Sequence, residues 1–488
     1  MIKLRDVISI LALVSATLLP SADARPQESD PEQSARIAEF ENGLRPPYGV
    51  AGEEPEVWSL EERMQHYNVP GVSIAVAIDG ELVWARGYGV RDSESGGAVD
   101  TDTLFQAASL SKPVAALAAL ALVQDEVLAL DQPANAFLTR WHIPDNEFTA
   151  QQPVTIRHLL SHRGGTTIHG FRGYPLGAGL PSLPQILAGT EPANTEPVIV
   201  TQLPGESYRY SGGGYTILQL AIEDASGRSF ADVVEGRIFH PAGMARSHFR
   251  YPVGDANAAI GHAGPESASM SDEQLAYPEL AAAGMWTTPS ELVRLGSLVA
   301  RSRNTEHFFL DQGLARQLVP DNAGEPGLGF GLNNDGDGVA FVHSGHNPGY
   351  SARWINYADG RASVAVLTNS DSGGDLIREI LSAIGHIYGW KQDAHEVRET
   401  IAPGAAAMQA IAGQYGWSSE DDDPFLTISI VDGELWVDGA VVDRARLHAQ
   451  SGTRYFVTKG LNFEAELDVA GKVTAIIVQD EIRLVPLG

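Results

Sequence analysis

The sequence predicts an α+β fold: an antiparallel sheet flanked by helices, a mostly helical insertion, and a small C-terminal all-β domain. Three observations carry the prediction. Two β-rich runs, 71–78 and 81–85, meet at Asp79-Gly80, and a second pair, 351–357 and 362–368, meets near Asp359-Gly360. Asp-Gly between such runs marks a hairpin. Between the two hairpins the chain reads as mostly helical. Beyond about residue 411 it turns into short, evenly spaced β runs, the pattern of a small antiparallel sheet or barrel.

In chain order, Lys3 and Arg5 precede an apolar stretch, 7–19, and then Ala22-Asp23-Ala24. A positive end, an apolar core and an A-x-A site make residues 1–24 a secretory signal peptide. Its core is too short for a stable bilayer anchor, so a periplasmic or secreted protein with no membrane span after cleavage is expected. Residues 25–52, rich in Pro, Glu and Gly, read as a loose leader. Ser59 stands three residues before Glu62, a capping-box spacing that starts a helix running to Tyr67. The first hairpin follows, then a polar stretch (92–102), the β residues 104–106, and Ala107-Ala108-Ser109-Leu110-Ser111-Lys112-Pro113 before the apolar run 114–123. Pro113 suits a first helical turn, where its missing N–H has no partner to lose.

Leu159-Leu160-Ser161-His162 comes next, then a Gly- and Pro-rich region over 166–204. Loops of that length in a compact domain often serve as walls or lids. Tyr210 stands at the mouth of a Gly-rich turn, and an apolar-periodic helix over 216–225 stops before Gly227. Residues 283–292 read as a loop capped into a helix, His343 opens a strand-like segment before the second hairpin, and a last helix spans Gly374 to about Tyr388. The domain boundary falls at Ile401-Ala402-Pro403-Gly404, between a domain over 53–395 and the β domain over 405–488.

Composition narrows the function. A chain of 488 residues holds two or three units with ample core. Its net charge of −29 repels phosphate backbones and anionic membranes, which excludes nucleic acid as a partner. With no cysteine, disulfides, thiol nucleophiles and Cys-based metal sites are ruled out.

Ser109 and Lys112 lie three residues apart, where a helix begins, so a hydroxyl and an amine share one face. A desolvated lysine can take the proton a serine must lose to become a nucleophile. Alone, the pattern arises often by chance and usually means only a cap and a solvated charge. Tyr210-Ser211-Gly212 and His343-Ser344-Gly345 change the balance, since acyl transfer needs a nucleophile, a base, an acid for the leaving group and oxyanion donors. Serine, lysine, tyrosine and histidine fill those roles without metal or cofactor.

These three segments, in this order, resemble the serine β-lactamase and penicillin-binding protein superfamily, with its Ser-x-x-Lys, Tyr-x-Asn and Lys-Thr-Gly-type motifs. Val69-Pro70-Gly71-Val72-Ser73, residues 105–112, 159–162 and 343–349 are similar to its class C-like branch of class C β-lactamases, D-amino-acid peptidases and lactamase-like esterases. The resemblance covers roughly 58–390. It implies Ser109 as acylated nucleophile, Lys112 and Tyr210 sharing the base and proton-relay roles, and an oxyanion hole from the backbone N–H of Ser109 and His346, beside Gly345. Which of Lys112 and Tyr210 is the acylation base stays open.

Two positions depart from the pattern. Gly212 stands where a substrate-binding Asn is usual, and His343 where a Lys grips a substrate carboxylate. An imidazole is mostly neutral at pH 7, so both changes weaken β-lactamase chemistry while leaving acyl transfer intact. His343 and His346 have no third ligand motif, so no metal is expected. His162 reads as a hydrogen-bonded structural histidine, the acidic run 420–423 as a solvated turn, and Trp286 and Tyr174 as candidate pocket walls. The resulting expectation is an exported serine hydrolase cleaving an amide or ester of a short peptide, with or without D-residues, or of a small molecule. β-Lactamase or DD-carboxypeptidase activity is the second reading, a non-catalytic binding or sensor protein the third. Oligomeric state is not legible.

Overall fold

The computed structural model describes residues 31–487 apart from 251–253, 265, 307, 335, 420, 422, 480 and 481; the signal peptide expected over 1–24 lies outside them. The described chain opens on a helix, α1 (Pro31–Glu41), within the stretch 25–52 expected to be a loose leader. That expectation is corrected. Ile37 and Phe40, three apart on one face, are buried, and residues 48–50 pair in parallel with 396–398. Two apolar side chains at helical spacing outweigh the Pro, Glu and Gly around them. The helix α2 (Leu60–His66) starts at Ser59, with both halves of the capping box formed.

The first hairpin is β1 (Gly71–Ile78) and β2 (Glu81–Gly89). A short strand, β3 (Phe105–Ala108), leads into α3 (Ser111–Gln124). The helical region continues with α4 (Gly212–Ser226) and α5 (Leu280–Ala283), then β4 (Met285–Thr287), which pairs with β3, and α6 (Pro289–Asn304). The chain returns to the sheet with β5 (Gly331–Asn334), β6 (Val339–Asn347), β7 (Tyr350–Tyr357) and β8 (Ala362–Thr368), followed by α7 (Gly373–Tyr388).

Six strands in the order β5-β6-β7-β8-β1-β2, antiparallel throughout, make the central sheet. The two predicted hairpins meet inside it, because β8 pairs with β1. Strand β1 therefore has no solvent face. Val72, Ile74 and Val76 pack in the layer of α1 and α7, and Ala75 and Ala77 pack in the layer of α6. Small side chains on the second face let α6 come close: a Cβ on Gly296 would strike the amide of Asn356.

The C-terminal unit is a nine-stranded antiparallel sheet over 413–486 with its own apolar core around Tyr415, Leu426, Val437 and Phe463. Its two edge strands, 442–446 and 448–449, are consecutive in the chain with only Leu447 between them. The sheet therefore curls back on itself into a nearly closed barrel, which limits its exposed edges.

Candidate active site

Helix α3 is apolar on every side, and 111–122 are buried throughout. It is a core helix whose N-terminal end opens into a cleft, and the turn Ser109-Leu110 joins it to β3. The turn is closed by Leu110 N–H donating to Ala107 O (3.0 Å) and Lys112 N–H donating to Ser109 O (3.0 Å). Ala108, just before the serine, has φ +49°, a left-handed conformation that costs an L-residue energy and recurs at functional sites. Ser111 holds it there: its hydroxyl donates to Ala108 O (2.6 Å) and accepts from Met285 N–H (3.0 Å).

Lys112 is 2% exposed. Its Nζ donates to Ser109 Oγ at 2.9 Å and to the carbonyl of Ala282, on α5, at 2.8 Å. Burial pulls its pKa from 10.5 to about 7, so near neutrality the amine is partly unprotonated and free to accept a proton.

Tyr210 lies half-buried with its ring centroid 4.8 Å from Lys112 Nζ. Burial pushes the phenol pKa up, and a hydrogen bond with Ser109 works the other way. The ring stacks on His162 at 4.4 Å and lies against His169 at 4.8 Å. Ser211 anchors the segment: its hydroxyl accepts from Gly214 N–H (2.9 Å), capping α4, and donates to Thr167 O (2.7 Å). Its backbone N–H donates to His162 Nδ1 (3.1 Å). His162, read from sequence as structural, is thus the platform under Tyr210. Burial, then the charge of Lys112, drives its pKa well below 6.5, so it stays neutral.

His343, on β6, is half-buried, and its Nδ1–H donates to Ser344 O at 2.6 Å. Burial and the nearby Lys112 push its pKa down to about 3. Two residues on, Gly345 touches the nucleophile turn so closely that a Cβ would run into the carbonyl of Ala107. His346 is exposed, with Nε2 4.0 Å from Asp371 Oδ1. A separation of three along a strand sends His343 and His346 to opposite faces, so they do not converge on one ion.

Ser109, Lys112, Tyr210, His343, Gly345 and His346 all line one cleft of about 1180 Å³. Gly212 does not. It is the first residue of α4, its N–H donates to His169 O (3.0 Å), and a Cβ there would lie 2.9 Å from the Phe171 ring. An aromatic ring fills the space a side chain would need. Trp286 and Tyr174 are buried packing residues, the first edge-on to Tyr350 and the second bonded to Asn194 N–H. The walls come instead from Phe171, Arg172, Tyr208, Arg209 and Arg353. Sequence reading did not single these out; the length of the 166–204 loop was the only signal for the first two.

A nucleophile bonded to a buried amine of lowered pKa, with a protonated phenol beside it, can run acyl transfer. Comparison with known proteins agrees. A family model described as Beta-lactamase matches residues 59–384. Penicillin-binding protein 4* of Bacillus subtilis (strain 168) is 26% identical over 419 residues, 81% of this chain and 89% of that protein. Esterase EstB of Burkholderia gladioli is 27% identical over 307 residues, 58% of this chain and 76% of that one. Among solved structures, the octameric penicillin-binding protein homologue from Pyrococcus abyssi superposes with a TM-score of 0.58 at 21% identity, covering 87% of this chain and 98% of its own, a likeness of fold.

Proposed function

The chain belongs to the beta-lactamase family of serine hydrolases, and from that premise we propose that it cleaves an amide or ester through an acyl-Ser109 intermediate. The observation that carries the proposal is the 2.9 Å contact between Ser109 Oγ and the buried Nζ of Lys112, whose pKa is about 7. Neutral Lys112 takes the Ser109 proton as Oγ adds to the carbonyl carbon. Tyr210, kept protonated by burial, relays a proton to the departing amine or alkoxide. Backbone N–H groups of Ser109 and His346 receive the oxyanion. Water then adds to the acyl-enzyme by the same relay, releasing the acid and restoring Ser109.

Two features favour simple esters and short peptides, including those with D-residues, over β-lactams. The position of the missing amide at Gly212 is occupied by Phe171, and His343 is neutral, so neither can grip a lactam as an amide and an ammonium would. Export to the periplasm or medium belongs to the same proposal and rests on the sequence of residues 1–24. Among the described residues no helix is long and apolar enough to cross a membrane.

A fluorophosphonate probe and a panel of p-nitrophenyl esters, D- and L-amino-acid p-nitroanilides and nitrocefin test the reading on wild type and Ser109→Ala. Labelling and turnover of an ester or anilide that vanish in Ser109→Ala support it. Absence of labelling in the wild type, or equal labelling of both proteins, would favour a binding protein instead.

A further inference from the structure

The charge of the cleft runs against that of the chain. Acidic residues outnumber Lys and Arg by 62 to 33, yet among the described residues no Asp or Glu lines the cleft, whereas Lys112 and three arginines do. Arg353 is neutralised by Asp393 at 2.7 Å. The other two arginines have no carboxylate among the described residues: Arg172 is exposed, and Arg209 Nη1 donates to the hydroxyl of Thr201 at 2.5 Å.

Their placement is also paired. Each follows an aromatic residue, in Phe171-Arg172 and Tyr208-Arg209, and both dipeptides line the cleft. The fold joins their two loops at the nucleophile's edge, since Gly212 and Gly213 N–H donate to His169 and Ile168 carbonyls at 3.0 Å each. A guanidinium fork matches a carboxylate in two parallel hydrogen bonds, and a cleft walled by one sign of charge concentrates ligands of the other.

Resting on the acyl-Ser109 reading above, we propose that Arg172 and Arg209 form an anion subsite, and that the substrate is an ester or amide carrying a carboxylate beside an apolar group. The arginines hold the carboxylate, and Phe171 and Tyr208 cover the apolar part. Among the described residues no carboxylate lines this cleft to meet a free ammonium; Asp371 stands behind His346, 4.0 Å from its Nε2.

The test compares kcat/KM for p-nitrophenyl butyrate with that for two anionic relatives. One is mono-p-nitrophenyl succinate, with the carboxylate on the acyl side; the other is the butyrate ester of 5-hydroxy-2-nitrobenzoate, with it on the leaving group. At low salt, one anionic ester is preferred to the neutral one by about tenfold, and the preference collapses as NaCl rises to about 0.5 M. Arg172→Glu with Arg209→Glu lowers the anionic-to-neutral ratio by about a hundredfold, or about tenfold per arginine, and shifts preference to a cationic acyl ester, while fluorophosphonate labelling shows that the variant is folded. A wild-type ratio at or below one for both anionic esters, or a ratio the double reversal leaves unmoved, overturns the subsite while turnover of the neutral ester keeps the Ser109 reading. If no ester is turned over and the probe does not label, the Ser109 reading fails and takes the subsite with it.

Discussion

Lys112→Met is expected to destroy activity and make the protein more stable, by an amount that depends on pH. The lysine has an ordinary pKa of 10.5 and one of about 7 in the folded protein, set by burial. Between those values the unfolded chain binds more protons than the folded one, so stability rises with pH from about 7 to 10.5. Below 7 both states are charged, and the folded protein bears the whole cost, about 5 kcal/mol at 1.36 kcal/mol per pH unit. Methionine of similar length removes that cost but leaves the carbonyl of Ala282 without its donor, a loss of about 1–3 kcal/mol. The net gain at pH 6 is about 2–4 kcal/mol. At pH 9 the remaining cost of the charge is about 2 kcal/mol, so the gain vanishes. Urea unfolding followed by tryptophan fluorescence at the two pH values measures both numbers. A variant less stable than wild type at pH 6, or one with the same gain at both pH values, would refute the claim that an uncompensated buried charge is held beside Ser109.

For the wild type, the same lysine makes kcat/KM for a neutral ester fall about tenfold per pH unit below 7 and level off above it, because His162 and His343 already stay neutral there; a flat profile between pH 5.5 and 8.5 counts against Lys112 as the base. Gly345→Ala places a methyl against the carbonyl of Ala107, which should force β6 from the nucleophile turn, cost about 1–3 kcal/mol and reduce kcat/KM about a hundredfold; near-normal turnover would show that the two segments need not touch. Glu279, fully buried at the start of α5, has neither carboxyl oxygen bonded to another described residue, and burial raises its pKa from 4.5 to about 7. Here the folded state binds more protons between those values, so stability falls as pH rises through them, and Glu279→Gln should gain up to about 3 kcal/mol at pH 8 and almost nothing at pH 4. Urea midpoints at both pH values check it, and an equal gain at pH 4 would mean that packing, not charge, is responsible.

What was legible in the sequence was local. Ser109 and Lys112 announce themselves because three residues at a helix start fix a hydroxyl and an amine on one side. The two hairpins and the late β unit follow from turn chemistry and strand spacing, which act over a few residues. The missed parts depend on contacts between segments far apart. Helix α1 is held by α7, more than three hundred residues later, so composition alone made it a leader. His162 is ambiguous until the fold stacks it on Tyr210 and bonds it to Ser211 N–H. Nothing near Arg172 in sequence says that Arg209 will line the same cleft.

Gly212 shows where such a reading stops. From sequence it is a deletion, an amide missing from a motif, and the natural inference is a site that has lost a contact and left a gap. The structure gives the glycine a neighbour instead: the Phe171 ring and the His169 carbonyl occupy the volume a Cβ would enter, at 2.9 and 3.0 Å. The loop over 166–204 fills that space with Phe171, and the next residue, Arg172, lines the cleft wall. The glycine at 212 and the aromatic–arginine wall are neighbours in the fold. Restoring Asn at 212 alone would not recover amide recognition, because its side chain and Phe171 compete for the same volume. Gly212 itself stays outside the cleft, while the Ser109–Lys112 contact lies within it.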